Sequence, residues 1–312
     1  MRPILWYDWP YIFRHRRELQ SLDNVLLLTR GTPLSWTHLL STIRPDEHVF
    51  TGAYDPDNSS TRLIGQIHQS LMMPSAQINY LLHVEESDPG DLIHLLDGLV
   101  EQAGQWGAKQ VLADLPVNSS AFACFRESGF SVIAKQRIFQ CNPTQELAQD
   151  QEKTWRIWTS VDIQAMRGLY YTLVPPLIQH VEPMTRREML GLVHFSHKGE
   201  IQAYADLVSG PAGVWVLPVI HPQIQENITE LLSQMLASLP GVNGRPVYIN
   251  VRSYQPWVEH ALEDLSAVPG PEQAMLVRYI ALRNRVSAGF SYARVENGNP
   301  EPTFPLAPIQ KP

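Results

Sequence analysis

The sequence has little cysteine, no cluster of basic residues and no long hydrophobic run. Its two cysteines, Cys124 and Cys141, are too few for a disulfide framework or a metal site, and they favour a reducing compartment. No apolar run approaches the roughly 20 residues of a membrane span, and the N-terminus lacks a signal-peptide hydrophobic region. The formal net charge is −7 without any basic stripe. We therefore expect a cytoplasmic protein with no metal, membrane or nucleic-acid partner.

The sequence does contain a strand–helix–strand unit with clear boundaries at residues 111–140. Val111 begins a short apolar strand that Asp114 and the following Leu-Pro are expected to end as a turn. Polar residues 118–120 can cap the next helix, which carries Phe122 and Phe125 on one face. Gly129 is expected to end that helix, and a second strand follows it.

The unit occurs a second time. Val247 begins a second apolar strand, a helix with Trp257 and Leu262 on one face follows, and residues 274–282 form a second closing strand. The near-constant offset between the copies favours a duplication, although two ordinary βαβ pieces could pair by chance. We predict an N-terminal domain over residues 1–142, a polar linker over 143–153 and a C-terminal domain over 154–285. Residues 286–312 are rich in proline and are predicted to be a weakly ordered tail.

Each half reads strand, helices, three consecutive strands, helix, strand, helix, strand. This order, together with Asn118, Ala121, Gly129 and Phe130, resembles the GCN5-related N-acetyltransferase (GNAT) family, whose late helix reads N-x-x-A-x-x-x-Y-x-x-x-G-F. The resemblance implies an α/β fold with a mixed sheet, present as two tandem domains. Phe125 stands where that family has a tyrosine that often serves as the acid for the departing thiolate.

The resemblance also implies acetyl-CoA as cofactor, lying between the splayed fourth and fifth strands of a domain. The diphosphate would meet free amides at the start of the following helix. We expect the cofactor in the second half, because four carboxylates in the corresponding loop of the first half would repel the diphosphate. The expected cofactor contacts are Leu217, Val219, Ile220, Gln225, Glu226, Asn227 and Ile228, with Leu82, Val84, Gly90 and Asn118 as the second choice.

The catalytic residues are less evident, because Phe125 and Leu262 occupy the two tyrosine positions. His260 is the nearest titratable side chain in the second half, but a surface histidine is the alternative interpretation. Tyr204 and Asp206 share one face of the third strand and are candidates for a substrate pocket.

Two classes of function follow from these residues. One is a divergent tandem N-acetyltransferase that acts on a small-molecule amine, and the other is a catalytically inactive GNAT-fold protein that binds a ligand, scaffolds or dimerises. The sequence leaves open whether the protein forms a homodimer.

Overall fold

A computed structural model describes residues 1–32, 47–56, 62–71, 73–82, 88–141, 154–184, 190–224 and 228–280. The predicted linker at residues 143–153 and the predicted tail at residues 286–312 lie outside these ranges. No helix among the described residues is long and apolar enough to span a membrane.

The first half contains seven strands and four helices among its described residues. In chain order these are β1 (Arg2–Pro3), α1 (Trp9–Arg14), β2 (Leu19–Ser21), α2 (Asn24–Arg30), β3 (Glu47–Tyr54), β4 (Leu63–Ser70), β5 (Ser75–Leu82), α3 (Pro89–Gln105), β6 (Gln110–Pro116), α4 (Phe122–Glu127) and β7 (Ser131–Cys141).

The second half repeats this order without a counterpart of β2 among its described residues. Its elements are β8 (Trp155–Ile157), α5 (Ile163–Leu173), α6 (Pro176–Val181), β9 (Leu190–Phe195), β10 (Ile201–Ser209), β11 (Val214–Ile220), α7 (Ile228–Ser238), β12 (Val247–Arg252), α8 (Pro256–Asp264) and β13 (Val268–Tyr279). Short 3-10 turns precede α1 and α5, and another follows α1.

All thirteen strands of the described chain form one mixed sheet. Its order is β1-β3-β4-β5-β6-β13-β7-β12-β11-β10-β9-β8, and β2 pairs with the free side of β5. Among the described strands, the parallel pairs are β5 with β6 and β11 with β12. The predicted α/β fold with a mixed sheet is confirmed. The domain boundaries stay a prediction, because the strands of both halves share this one sheet.

The two halves exchange their closing strands. β13, from the second half, pairs with β6 of the first half, with Leu276 opposite Ala113. In return, β7 of the first half pairs with β12 of the second, with Ile249 opposite Phe139. β7 and β13 are also antiparallel neighbours at the centre of the sheet. Each half is therefore completed by a strand of the other.

The helices cover both faces of the sheet. On one face, the hydrophobic core under α3 and α4 includes Phe125 and Phe130, and a second core under α7 and α8 includes Leu262. On the opposite face, α5 and α6 pack with residues of both halves, such as Leu112 and Val219. α2 reaches the second half as well, because the Ala212 amide donates to the carbonyl of Thr29 at 2.9 Å.

An ion pair is repeated at the start of each half. Arg2 makes a bidentate pair with buried Asp8, and Asp8 also accepts from the amide of Leu5. Arg156 makes the same pair with Asp162, which accepts from the amide of Thr159. The repeated arrangement supports the duplication indicated by the sequence.

Two local predictions had different outcomes. Gly129 has φ +83°, which agrees with its predicted role at the end of α4. The predicted turn at Asp114 was wrong, because β6 continues to Pro116. The exchanged strand β13 supplies the ladder that extends it, with Met275 opposite Asp114.

Candidate functional site

The predicted cofactor strand in the second half diverges from its neighbour. β11 pairs with β12 only from Val214 to Val216, and the remainder of β11 has no backbone partner on that side among the described residues. This remainder carries the predicted contacts Leu217, Val219 and Ile220. Val219 and Ile220 are buried, and Leu217 is partly buried. A gap therefore opens between β11 and β12 at their carboxyl ends.

The side chain of Gln255 lies in this gap. Its Oε1 accepts from the amide of Ile220 at 2.8 Å, and its Nε2 donates to the carbonyl of Pro218 at 3.0 Å. Gln255 is fully buried. A primary amide thus satisfies both backbone groups that β12 leaves unpaired.

The corresponding gap in the first half is filled by the backbone. β2 pairs antiparallel with the end of β5, with Leu19 opposite Leu82 and Ser21 opposite Tyr80. The Leu22 amide also donates to the Asn79 carbonyl at 2.8 Å. This edge of β5 is consequently occupied by a strand of the same chain.

The remaining predicted cofactor residues are scattered. Ile228 is the first residue of α7 and is partly buried, whereas Gln225, Glu226, Asn227 and Val84 lie outside the described residues. The amide of Gly90 was expected to donate to a phosphate of the cofactor. It donates instead to the carboxylate of Asp88, the N-cap residue of α3, at 3.0 Å. Asn118 is exposed in the turn after β6.

The three catalytic candidates are not brought together. The His260 side chain is 85% exposed on α8, with its Nδ1 3.7 Å from Glu263 Oε2. Tyr204 is buried in the core beneath α5 and α6. Asp206 is also buried, but it lines a cavity. Phe125 and Leu262, at the two tyrosine positions, are fully buried core residues.

The cavity that contains Asp206 lies at the centre of the sheet between the two halves. It has a volume of about 270 Å³. Leu217, the first β11 residue beyond the paired segment, lines it, so the cavity adjoins the gap. Its polar lining is drawn from both halves: Asp23, His68, Gln77, Asp114, Glu182, Asp206, Asn250 and Arg252.

The described residues that line this cavity carry four carboxylates and one guanidinium. The guanidinium is that of Arg252, which donates to Glu182 Oε1 at 2.7 Å. Desolvation raises the pKa of Asp114 to about 7, while Arg252 and a hydrogen bond from Asn24 act against this rise. Asp114 is therefore a carboxyl group that can exchange a proton near neutral pH.

A ladder of buried amides connects opposite sides of the cavity. Asn24 Nδ2 donates to Asp114 Oδ2 at 3.0 Å, and Asn24 forms a reciprocal amide pair with Gln273. Gln136 Nε2 donates to Gln273 Oε1 at 3.3 Å, and Asn250 Nδ2 donates to Gln136 Oε1 at 2.9 Å. The ladder crosses β6, β13, β7 and β12, and thus depends on the exchanged strands.

Sequence reasoning missed this cavity, although one signal was present. Asp114 and Asn250 each stand three residues after the valine that begins their copy, and Gln136 and Gln273 occur in the two closing strands. Polar residues at matching places in buried strands indicate a shared site. Gln255 carried no comparable signal, because its role depends on the divergence of β11 from β12.

Solved structures with the same fold are distant in sequence. A GCN5-related N-acetyltransferase from Sphaerobacter thermophilus is 12% identical, with TM-score 0.50 over 89% of this chain and 94% of that chain. A tandem GNAT protein from the clavulanic acid biosynthesis pathway is 13% identical, with TM-score 0.51 over 89% and 97%. A functionally unknown conserved protein from Staphylococcus epidermidis is 11% identical, with TM-score 0.52 over 74% and 94%.

No protein-family model matches the sequence, and no curated protein matches it. The similarity to known proteins consequently concerns the fold alone. The strand order described above and these structural neighbours agree with the resemblance seen in the sequence. The chain has the fold of the GCN5-related N-acetyltransferases.

Proposed function

We propose that the protein transfers an acyl group, with acetyl as the first choice, from acyl-CoA to a small-molecule amine. Acyl-CoA would bind in the second half, in the gap between β11 and β12. The observation that carries this proposal is the divergence of β11 from β12 after Val216. In the described part of the first half, β2 pairs with β5 where the equivalent opening would lie.

The gap suits a ligand arm that contains amides. The Pro218 carbonyl and the Ile220 amide already bind a primary amide, that of Gln255. The two amides of the pantetheine arm of CoA would make these hydrogen bonds after the Gln255 side chain rotates away, one amide through its N–H and the other through its carbonyl oxygen, because the N–H and C=O of a trans amide point in opposite directions. Gln255 thus acts as an internal substitute for the ligand.

A second groove supports binding at the carboxyl end of β11. It has a volume of about 490 Å³ and is lined by His197, Lys198, Glu200 and His221, among others. Lys198 brings a positive charge to this groove. Lys198 suits the phosphates of CoA, whereas Glu200 opposes them. Residues 225–227 follow Ile224 of this groove in the sequence and precede α7.

The chemistry also requires an amine with a free lone pair. When bound, acyl-CoA supplies an acyl thioester whose carbonyl carbon an unprotonated amine attacks, with release of the CoA thiol. Asp114 suits the role of proton acceptor for the amine, because its pKa lies near 7. It shares its cavity with Leu217, at the entrance to the gap.

Calorimetry on the full chain tests the acyl-CoA site. We expect acetyl-CoA to bind at micromolar level, and Gln255→Ala to bind it up to about tenfold more tightly, since no internal amide has to be displaced. Gln20→Ala is the matched control, because Gln20 Nε2 donates to Ser119 Oγ beside the first-half gap. Absence of binding, or a response to Gln20→Ala alone, would contradict the proposal.

The alternative function is a catalytically inactive GNAT-fold protein that binds a small ligand. Two observations favour it: β2 fills the first gap, and the Gln255 amide satisfies the backbone of the second. In that case acetyl-CoA and CoA would not bind, and the central cavity would be the remaining ligand site.

A further inference from the structure

The helical segment at the N-terminus presents large apolar side chains to solvent. Residues 6–18 form a 3-10 turn, α1 and a second 3-10 turn in succession. Trp6 is 83% exposed, and its neighbours Leu5 and Tyr7 are 44% and 50% exposed. The rings of Trp6 and Tyr7 meet edge-on, with centroids 5.9 Å apart. Contact of large apolar rings with water is unfavourable, so a partner that covers them would gain free energy from their burial.

Three arginines extend this surface. Arg14, Arg16 and Arg17 are exposed, and Glu18 is the one carboxylate in the sequence from residue 14 to 18. Asp8 and Ile12 are buried, whereas the exposed residues recur at the spacing of one helix face: Trp6, Pro10, Arg14 and Arg17. Six residues together form the N-terminal patch: Leu5, Trp6, Tyr7, Arg14, Arg16 and Arg17. This patch is basic in a chain whose formal net charge is −7.

The second half shows that the fold does not require this patch. The amide three residues before Asp8 donates to its carboxylate, and the amide three residues before Asp162 does the same. This match sets Ser160 at the place of Trp6. Continued along the two helices, it sets uncharged residues at the places of the three arginines: Gly168, Tyr170 and Tyr171. The second half therefore forms the same turn without the tryptophan and without the arginines.

Aromatic rings beside exposed guanidinium groups suit the surface of an anionic bilayer. Tryptophan and tyrosine favour the headgroup region, and basic side chains are attracted by the negative surface potential. A stable protein partner engages about 20–30 residues a side, whereas the patch is confined to residues 5–17. Outside the patch the chain is acidic, so electrostatic repulsion would leave only the patch facing the lipid.

We propose that the N-terminal patch binds the surface of an anionic lipid bilayer, with Trp6 and Tyr7 among the headgroups and the three arginines against the phosphates. We expected no membrane partner because the sequence lacks an apolar run long enough for a span, but contact with a bilayer surface requires no such run. This binding is independent of acyl transfer.

Flotation of the full chain with lipid vesicles tests the proposal. One set of vesicles contains phosphatidylglycerol and phosphatidylcholine in equal parts, and the other contains phosphatidylcholine alone. We expect binding to the mixed vesicles to be at least about tenfold tighter and to weaken as salt is added. Absence of binding to the mixed vesicles, or equal binding to both sets, would overturn the proposal.

Variants locate the contact. Trp6→Ser introduces the residue of the second half and should weaken binding to the mixed vesicles about tenfold, and Arg14→Gln with Arg17→Gln should do the same. Val161→Ser and Arg167→Gln are the matched controls, because they change an exposed apolar and an exposed basic residue of the second half. Unchanged binding in the patch variants, or an equal loss in the controls, would refute the assignment to this patch.

Sedimentation of the lipid-free chain examines a second copy as the alternative occupant. We expect Trp6→Ser to leave the oligomeric state unchanged. A dimer that Trp6→Ser dissociates would assign the patch to self-association and would overturn the proposal.

Discussion

Gln136 and Gln273 come from opposite halves of the chain and lie directly opposite each other as backbone partners in the sheet. Gln136 Nε2 donates to Gln273 Oε1 at 3.3 Å, and both side chains are buried. This pair joins the two closing strands at the centre of the molecule. It also joins the two parts of the amide ladder that end at Asp114 and at Asn250.

Gln136→Leu should lower the free energy of unfolding by about 1–3 kcal/mol. The substitution leaves Asn250 Nδ2 without its acceptor in a buried position, and an unsatisfied buried group carries a cost of this size. Urea denaturation measures the change. Gln140→Leu is the matched control, because Gln140 is exposed on the same strand and should change stability by less than about 0.5 kcal/mol. Equal effects of the two substitutions would contradict the ladder.

Phe125→Ala should lower the free energy of unfolding by about 3–5 kcal/mol, the usual loss for a large buried aromatic side chain. Phe125 is fully buried and packs edge-on against Phe130, with ring centroids 5.0 Å apart. Phe122, one turn earlier on α4, is only partly buried. Phe122→Ala should therefore cost clearly less in the same denaturation experiment. The prediction fails if Phe122→Ala is the more destabilising change.

Asp162→Asn should remove part of the pH dependence of stability at acidic pH. The hydrogen bond from Arg156 lowers the pKa of Asp162 to about 2, from a usual value of 3.8. A carboxyl group with a depressed folded-state pKa stabilises the protein above pH 4, and this contribution disappears as the pH falls from 4 to 2. We expect a contribution of about 1–2 kcal/mol, because Arg156 is half exposed and solvent screens the pair.

Unfolding free energies at pH 6, 4 and 3 measure this effect. The advantage of the wild type over Asp162→Asn should shrink between pH 4 and 3 and should be only partly lost at pH 3. A constant difference between the two proteins across that range would show that the ion pair contributes nothing.

Asp114→Asn should change stability in the opposite pH direction. The folded-state pKa of Asp114 is raised to about 7 from 3.8, chiefly by desolvation, with Asp23 and Glu182 adding to the rise. Between pH 4 and 7 the native state holds a proton that the unfolded state has lost, so this group makes stability fall as pH rises through that window. Asparagine can still accept from Asn24, but it does not titrate.

The measurement compares unfolding free energies at pH 5 and pH 8. Wild type minus variant should decrease by roughly 1–3 kcal/mol over this interval. A difference that stays constant, or rises with pH, would show that Asp114 is ionised throughout.

Much of the fold was predictable because its elements have strong local signals. Apolar strands bounded by turn residues, the glycine at the end of α4 and the regular helix faces indicated element order and duplication. The exchange of β7 and β13 could not be predicted from such signals. The apolar residues of β13 would face the core with any neighbouring strand, so they do not show which strand it pairs with. Strand pairing is a long-range property that periodicity within a strand does not determine.

The candidate site was less predictable for a related reason. Asp206 was identified because it lies on the same face of β10 as Tyr204. Asp114 looked like part of a turn because Leu115 and Pro116 follow it. The partial burial and the raised pKa of Asp114 result from α2, β13 and the segment after α6, which are distant in sequence. The pairing of β2 with β5, which closes the first gap, was not predictable either. β2 is only three residues long and has weak strand character, and it is a strand only because it pairs with the exposed edge of β5.

The exchanged closing strands have a consequence for synthesis on the ribosome. When residues 1–141 have emerged, β6 still lacks the partner that β13 supplies, and β7 lacks both β13 and β12. The nascent first half therefore presents unpaired strand edges until residue 279 has been made, and such edges favour association with other chains. The chain cannot finish its two halves one after the other, and they reach their native state together.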